Sequence, residues 1–109
     1  MATKANITID QGTEFNTEII LTDDYGNPLD LTRYTAKSQL RKSYSSSSAT
    51  DFTVYLHEGK VTLSLNSTST ASLTPGRYVY DAILTNQSLV VTRIVEGIVT
   101  VTPRVSIWV

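Results

Sequence analysis

Apolar and polar residues alternate along most of this chain, and this period of two constrains its fold more than any other feature. Ile7 and Ile9 alternate with polar neighbours, and Val61, Leu63 and Leu65 do the same further along the chain. Successive side chains of a strand point to opposite faces, so such runs predict strands with one apolar face. The sequence therefore predicts an all-β protein.

About seven short strands separated by polar turns are typical of two packed antiparallel sheets, and we expect an immunoglobulin-like β-sandwich. The apolar alternation on either side of residues 57–60, His-Glu-Gly-Lys, predicts a hairpin. Residues 67–73 break the alternation and predict one short helical turn, with Ser67 or Thr68 as its N-cap. A chain of 109 residues fits one domain.

We place the sandwich domain at residues 1–103 and a C-terminal extended tail at residues 104–109, because Pro103 ends the last long strand. The tail alternates again and carries Val105, Ile107, Trp108 and Val109. Three alternatives stay open for it: an added edge strand on its own domain, strand addition to a neighbouring subunit, or disorder. These four residues are therefore candidate partner contacts.

The last long run, Leu89 to Val101, carries apolar residues on both of its expected faces. The expected inward set is Val91, Val95, Val99 and Val101, and the opposite set is Val90, Ile94 and Ile98. A strand with two apolar faces needs cover on both, so we expect a partner on the outer one. Gly97 predicts a bulge or a close approach of another backbone within this run.

The residue types present do not indicate catalysis, and we expect neither an enzyme nor a cofactor. Cysteine is absent and His57 is the only histidine, which leaves too few ligands for a zinc site. The acidic residues Asp23, Asp24 and Asp30 with Asn27 allow two interpretations, a calcium site or a turn, and Pro28 among them favours the turn.

Charge and hydropathy limit the possible partners. The net charge is −1 and the longest run of cations is Arg41-Lys42, so we do not expect nucleic-acid binding. No stretch approaches the roughly 18 apolar residues of a membrane span, and the N-terminus lacks the apolar segment of a signal peptide. We expect synthesis in a cytoplasm and no membrane partner.

Tyrosine is the remaining feature that bears on binding. Tyr34, Tyr78 and Tyr80 fall at inward positions of predicted strands, whereas Tyr44 and Tyr55 are expected at the surface. Exposed tyrosine offers a large contact area at a low entropy cost, which is useful at binding surfaces. Tyr44 and Tyr55 are therefore candidate partner contacts, and they are candidate stacking platforms for a glycan.

Three stretches resemble β-sandwich proteins of bacteriophage particles. Residues 21–36, LTDDYGNPLDLTRYTA, resemble the G-x-P-x-D-L-T-G-Y-T stretch of phage baseplate and tail domains, such as the N-terminal domain of the upper baseplate protein of lactococcal siphophages. Arg33 stands where that family often has glycine. Residues 73–78, LTPGRY, resemble the entry to the sixth strand of these domains, and residues 95–103, VEGIVTVTP, resemble the end of small virion proteins of cyanophages and other T4-like myophages.

The resemblance implies a non-enzymatic virion protein of the tail, the baseplate or the capsid surface. Its partners would be other virion proteins and copies of itself, reached through sheet edges and the C-terminal tail. The alternative is an adhesin-like or carbohydrate-binding immunoglobulin-like module that contacts the host surface. The first hypothesis places the important contacts on the outer face of the last long strand and in the tail, and the second places them at Tyr44, Tyr55 and Trp108.

Overall fold

The computed structural model describes residues 3–105, which form strands and one helical turn. The elements are β1 (Thr3–Lys4), β2 (Ile7–Asp10), β3 (Phe15–Ile20), β4 (Thr35–Arg41), β5 (Thr50–Asp51), β6 (Thr53–His57), β7 (Lys60–Leu65), α1 (Ser67–Ala71), β8 (Gly76–Thr85) and β9 (Val91–Thr102). β1 and β5 contain only two residues each. The other seven strands contain four residues or more, which agrees with the expected number of about seven.

Two sheets face each other across the core. The larger sheet has the order β1-β9-β8-β4-β5, with β2 also paired to β9, and the smaller sheet has the order β3-β7-β6. This is the division of strands found in immunoglobulin sandwiches, in which the third, sixth and seventh main strands form one sheet and the second, fourth and fifth form the other. The predicted all-β immunoglobulin-like sandwich is confirmed, and so is the β6–β7 hairpin.

Alternation places the apolar face of each strand in the space between the sheets. The core includes Leu40 from β4, Leu63 from β7 and Val99 from β9, all fully buried. The chain crosses from one sheet to the other at Phe52, whose N–H first donates to the carbonyl of Ser38 (2.9 Å). The Phe52 ring then packs against Tyr80, with ring centroids 6.2 Å apart. Burial of this interface supplies the main stabilisation of the fold.

The sandwich is not wholly antiparallel as expected, because β1 and β2 run parallel to β9. Ile7 pairs with Val99, and the N–H of Ala5 donates to the carbonyl of Glu96 (2.9 Å). A Cβ at position 97 would collide with the carbonyl of Ala5, so Gly97 marks a close backbone approach. This is one of the two roles predicted for Gly97.

The other predicted feature, a bulge, lies earlier in β9 and not at Gly97. Because of this bulge, two residues of β9 lie on the face opposite to the predicted one. Ala82 pairs with Val95 but Ile83 pairs with Arg93, so the residue between them, Ile94, has no partner in β8. One extra residue reverses the alternation that precedes it. Val91 was therefore placed wrongly on the inward face and is 57% exposed, whereas Ile94 packs against the core.

The helical turn α1 forms where expected, but the predicted cap was wrong. Asn66 is the N-cap, and its side-chain oxygen accepts from the N–H of Ser69 (2.8 Å). The buried Thr70 hydroxyl donates to the carbonyl of Thr13 (2.7 Å), which ties α1 to the turn before β3. Beyond α1, the Tyr78 hydroxyl donates to the carbonyl of Thr74 (2.7 Å), the tyrosine corner of immunoglobulin folds.

Candidate interaction surfaces

Strand pairing assigns the connecting segments to two opposite ends of the sandwich. Thr35 pairs with Thr85 near one end, and Gly76 pairs with Val101 near the other. We call the first the loop end; it holds residues 21–34, 58–59 and 86–90. We call the second the tail end; it holds residues 11–14, 42–49, 66–75 and 103–105.

The tail leaves the tail end along a path that is fixed by Gln11. Its side-chain amide donates to the carbonyl of Leu73 (3.0 Å), and its side-chain oxygen accepts from the N–H of Arg104 (3.3 Å). The Arg104 side chain lies against Gly12, where a Cβ would collide with it. Val105 follows and is 97% exposed. The first residues of the tail therefore contact the domain, and Val105 points away from it.

Of the four predicted tail contacts, only Val105 lies among the described residues. Ile107, Trp108 and Val109 lie outside them, so their roles stay predictions. The boundary between the domain and the tail likewise stays a prediction, although Arg104 makes contacts with the domain.

Tyr44 lies in the segment that connects β4 to β5, at the tail end. It is 70% exposed and occupies a turn in which the N–H of Ser46 donates to the carbonyl of Ser43 (3.1 Å). Arg41, on β4, donates to the carbonyl of Ser46 (2.6 Å) and so attaches this turn to the larger sheet. Tyr44 lines a shallow hollow on the outer face of that sheet.

Tyr55 lies on the outer face of the smaller sheet and is 63% exposed. It pairs with Thr62 on β7, and its surroundings are short polar side chains such as those of Asn16 and Thr53. Tyr44 and Tyr55 are therefore both at the surface, as predicted, but they line hollows on different sheets. The predicted contact residues do not converge on one site within residues 3–105.

The smaller sheet has two strands with an unpaired edge among the described residues. β3 and β6 each pair only with β7 there, so the outer N–H and C=O groups of both strands have no strand beside them. β3 is six residues long and its pairing with β7 is regular throughout. An open edge on a regularly paired strand can accept a further strand from another chain.

The tip of the β8–β9 hairpin, formed by Leu89, Val90 and Val91, is apolar and exposed, and of these three residues only Val90 was expected on an outer face. Leu89 is 80% exposed and adopts a left-handed backbone (φ 63°), a conformation that costs energy for any residue with a Cβ. Asn86 stabilises the turn, because its side-chain oxygen accepts from the N–H groups of Ser88 (2.9 Å) and Val90 (3.0 Å). The run Asn86-Gln87-Ser88 is typical of a turn, but it does not indicate a left-handed leucine.

The acidic residues near the loop end build turns. The Asp23 carboxylate accepts from the N–H groups of Tyr25 (2.8 Å) and Asn27 (3.0 Å). The backbone N–H of Thr32, with its hydroxyl, hydrogen-bonds Asp30 and lowers the pKa of that carboxyl. Among residues 3–105, no group of three or more His, Asp or Glu side chains is arranged to hold a metal ion. The hydrogen bonds of Asp23 and Asp30 to nearby residues are those of the turn interpretation.

Within the part of the chain that the structure describes, no helix combines the length and the apolar character needed to cross a membrane.

No family model matches the chain, and no curated protein is significantly similar to it. Solved structures align with most of this chain at low sequence identity. The internalin-like protein lmo2027 of Listeria monocytogenes matches 93% of this chain at 17% identity, with a TM-score of 0.47. A family 123 glycoside hydrolase of Clostridium perfringens matches 93% at 13% identity, also with a TM-score of 0.47. The copper resistance protein PcoC of Escherichia coli matches 89% at 10% identity, with a TM-score of 0.44.

This chain spans 28% of the internalin-like protein and 23% of the glycoside hydrolase, but 89% of PcoC. Similarity at this level identifies neither a family nor a function for the chain.

Proposed function

We propose that this chain is a non-enzymatic structural protein of a bacteriophage particle, placed in the tail, the baseplate or the capsid surface. In this role the β-sandwich is a binding module of the particle. The sequence resemblance of residues 21–36, 73–78 and 95–103 to phage virion proteins supports this assignment. We further propose that it is made in the host cytoplasm and assembles there with other virion proteins and with copies of itself.

The observation that carries the assembly role is the fixed exit of the tail. Gln11 and Gly12 set the direction in which Arg104 leaves the domain, and Val105 is fully in solvent. A segment whose start is fixed loses less conformational freedom when the rest of it is ordered on a partner. The alternating apolar residues that follow are suited to pairing with a sheet edge of a neighbouring subunit.

The test removes residues 105–109 and keeps Arg104, so that the contacts of Arg104 with Gln11 and Gly12 are preserved. We expect the shortened protein to fold with an unchanged circular dichroism spectrum and melting temperature. Supplied in trans to the virus that encodes the chain, it should be absent from purified particles, whereas the full chain should be present. Mass spectrometry of the particles measures both.

A matched control changes an exposed aromatic residue at the loop end, away from the tail, Tyr25→Ala. This variant should enter particles as the full chain does. Particles that contain the shortened protein in normal amount would contradict the role of the tail. Purified particles that lack the full chain would contradict the virion assignment itself.

A further inference from the structure

The hollow beside Tyr44 is a built surface feature that the assembly role does not use. It lies on the outer face of the larger sheet and has a volume of about 270 Å³. Its lining includes Gln39, Arg41, Val79 and Arg93 as well as Tyr44. Small-molecule pockets usually measure roughly 300–1,000 Å³, so this hollow has room for one small ring and not for a long chain.

One side of the hollow is a connected set of polar groups on β4. Gln39 donates to the Asp51 carboxylate (2.6 Å) and accepts from the Arg41 guanidinium (3.2 Å). Arg41 also donates to the carbonyl of Ser46 (2.6 Å). Because each group is oriented by a neighbour, little ordering entropy remains to be lost when a ligand binds there.

The opposite side contains Arg93, which lies between two carboxylates. Its guanidinium is 3.3 Å from Asp81 and 3.5 Å from Glu96. Asp81 lines the hollow, and Glu96 and Asp51 lie next to lining residues, so carboxylates in and beside the hollow balance the charges of Arg41 and Arg93. The local charges therefore favour a neutral ligand with many hydroxyl groups, which can donate to Asp81 and accept from the guanidinium groups.

Tyr44 and Val79 add apolar surface to this polar lining. Tyr44 is held in the turn that Arg41 attaches to the sheet, and most of its side chain is open to solvent. An exposed tyrosine presents a flat apolar ring with a polar hydroxyl at its edge. The C–H face of a sugar ring can pack on such a surface while its hydroxyl groups reach the polar side chains.

We propose that this hollow binds one neutral sugar unit, with Tyr44 as the stacking platform and Asp81 and Arg93 as the hydrogen-bonding groups. The site does not depend on the role in a virion, since it uses neither the tail nor an open sheet edge. If no sugar binds, the proposed role in assembly is unaffected. If the protein is absent from particles, the proposed sugar site is unaffected.

The test is a two-dimensional amide NMR titration of the full chain with neutral methyl glycosides of glucose, galactose, mannose, rhamnose and N-acetylglucosamine. We expect saturable shifts with at least one of them, confined to the amides of Gln39, Arg41, Tyr44, Val79, Asp81 and Arg93. Tyr44→Ala should weaken the affinity roughly tenfold, while Tyr44→Phe should retain most of it. Tyr44 is exposed, so neither change should unfold the domain.

Tyr25→Ala is the matched control, because Tyr25 is an exposed tyrosine at the loop end and does not line the hollow, and this variant should bind as the unchanged chain does. Arg93→Gln should weaken binding in the same sense as Tyr44→Ala. The proposal is overturned if no glycoside gives saturable shifts. It is also overturned if Tyr44→Ala leaves the affinity unchanged, or if methyl glucuronide, titrated in the same way, binds while the neutral glycosides do not.

Discussion

The carbonyl oxygen of Ala5 lies in the space that a side chain on Gly97 would have to enter. The same oxygen accepts a hydrogen bond from the buried Tyr80 hydroxyl (2.6 Å). The segment between β1 and β2 therefore contacts both β9 and β8 through the Ala5 carbonyl group. Position 97 requires glycine because this carbonyl leaves no room for a Cβ there.

Gly97→Ala should lower the free energy of unfolding by about 1–3 kcal/mol, because the new methyl group forces β1 away from β9. Urea unfolding measures this loss. Hydrogen exchange should show faster exchange of the Ala5 N–H, which loses its partner on Glu96. The control is Gly26→Ala, where an added Cβ has open space but the backbone has a positive φ of 82°. That variant should leave the Ala5 N–H protected; equal protection in both variants would contradict the steric account.

We expect the stability of the domain to depend on pH in the alkaline range because of Tyr80. Burial raises the pKa of its hydroxyl above the usual value of about 10. A raised pKa in the folded state means that Tyr80 contributes stability below about pH 10, and that this contribution is lost as the pH rises through the folded-state pKa. Tyr80→Phe should cost about 1–3 kcal/mol near neutral pH, because the carbonyl of Ala5 loses its partner.

The difference in unfolding free energy between the unchanged chain and Tyr80→Phe should therefore narrow above about pH 10. Urea unfolding at a series of pH values measures it. A gap that stays constant from neutral to alkaline pH would show that the Tyr80 hydroxyl does not titrate differently in the folded and unfolded states.

Leu89→Gly should stabilise the domain by about 0.5–1 kcal/mol, because glycine adopts the left-handed backbone without a Cβ clash. The leucine side chain is mostly in solvent, so little burial is lost. Leu89→Ala keeps the Cβ and should give no comparable gain. Thermal and urea unfolding of the unchanged chain and of both variants would rank their stabilities. A glycine variant no more stable than the alanine variant would show that the backbone at position 89 is unstrained.

Asn66→Ala should cost about 1 kcal/mol, since the N–H of Ser69 loses the cap that accepts from it. Thr68→Ala is the matched control, because Thr68 was one of the two caps expected from the sequence. That change should alter the unfolding free energy by less than about 0.5 kcal/mol, as an exposed substitution usually does. A larger loss from Thr68→Ala than from Asn66→Ala would restore the original interpretation.

The strands and the hairpin could be predicted because alternation is a local property, and residues 61–65 show it without interruption. The parallel pairing of Ile7 with Val99 could not, because partner choice depends on residues far apart in the chain. The bulge could not be predicted either. Ile94 has no partner in β8, and this one extra residue moves Val91 from the expected inward face to the outer face.

The candidate contacts were predictable as exposed residues but not as a site. Tyr44 and Tyr55 follow from turn and alternation patterns, whereas their separation onto two sheets depends on the crossover at Phe52. The hollow beside Tyr44 also needs Arg93, which the bulge places opposite Ile83 on β8. No local pattern indicates that Tyr44 and Arg93 line one hollow.

The parallel pairing of β2 with β9 also has a mechanical consequence. The two strands run in the same direction, from the pair Ile7 and Val99 to the pair Asp10 and Thr102. The start of β2 and the end of β9 therefore lie at opposite ends of the ladder. A force that pulls these two points apart would slide the strands along each other. All the hydrogen bonds of this ladder would then be loaded together in shear, instead of opening one after another as in an unzipped hairpin. A domain tethered through its two ends would therefore resist extension along its length.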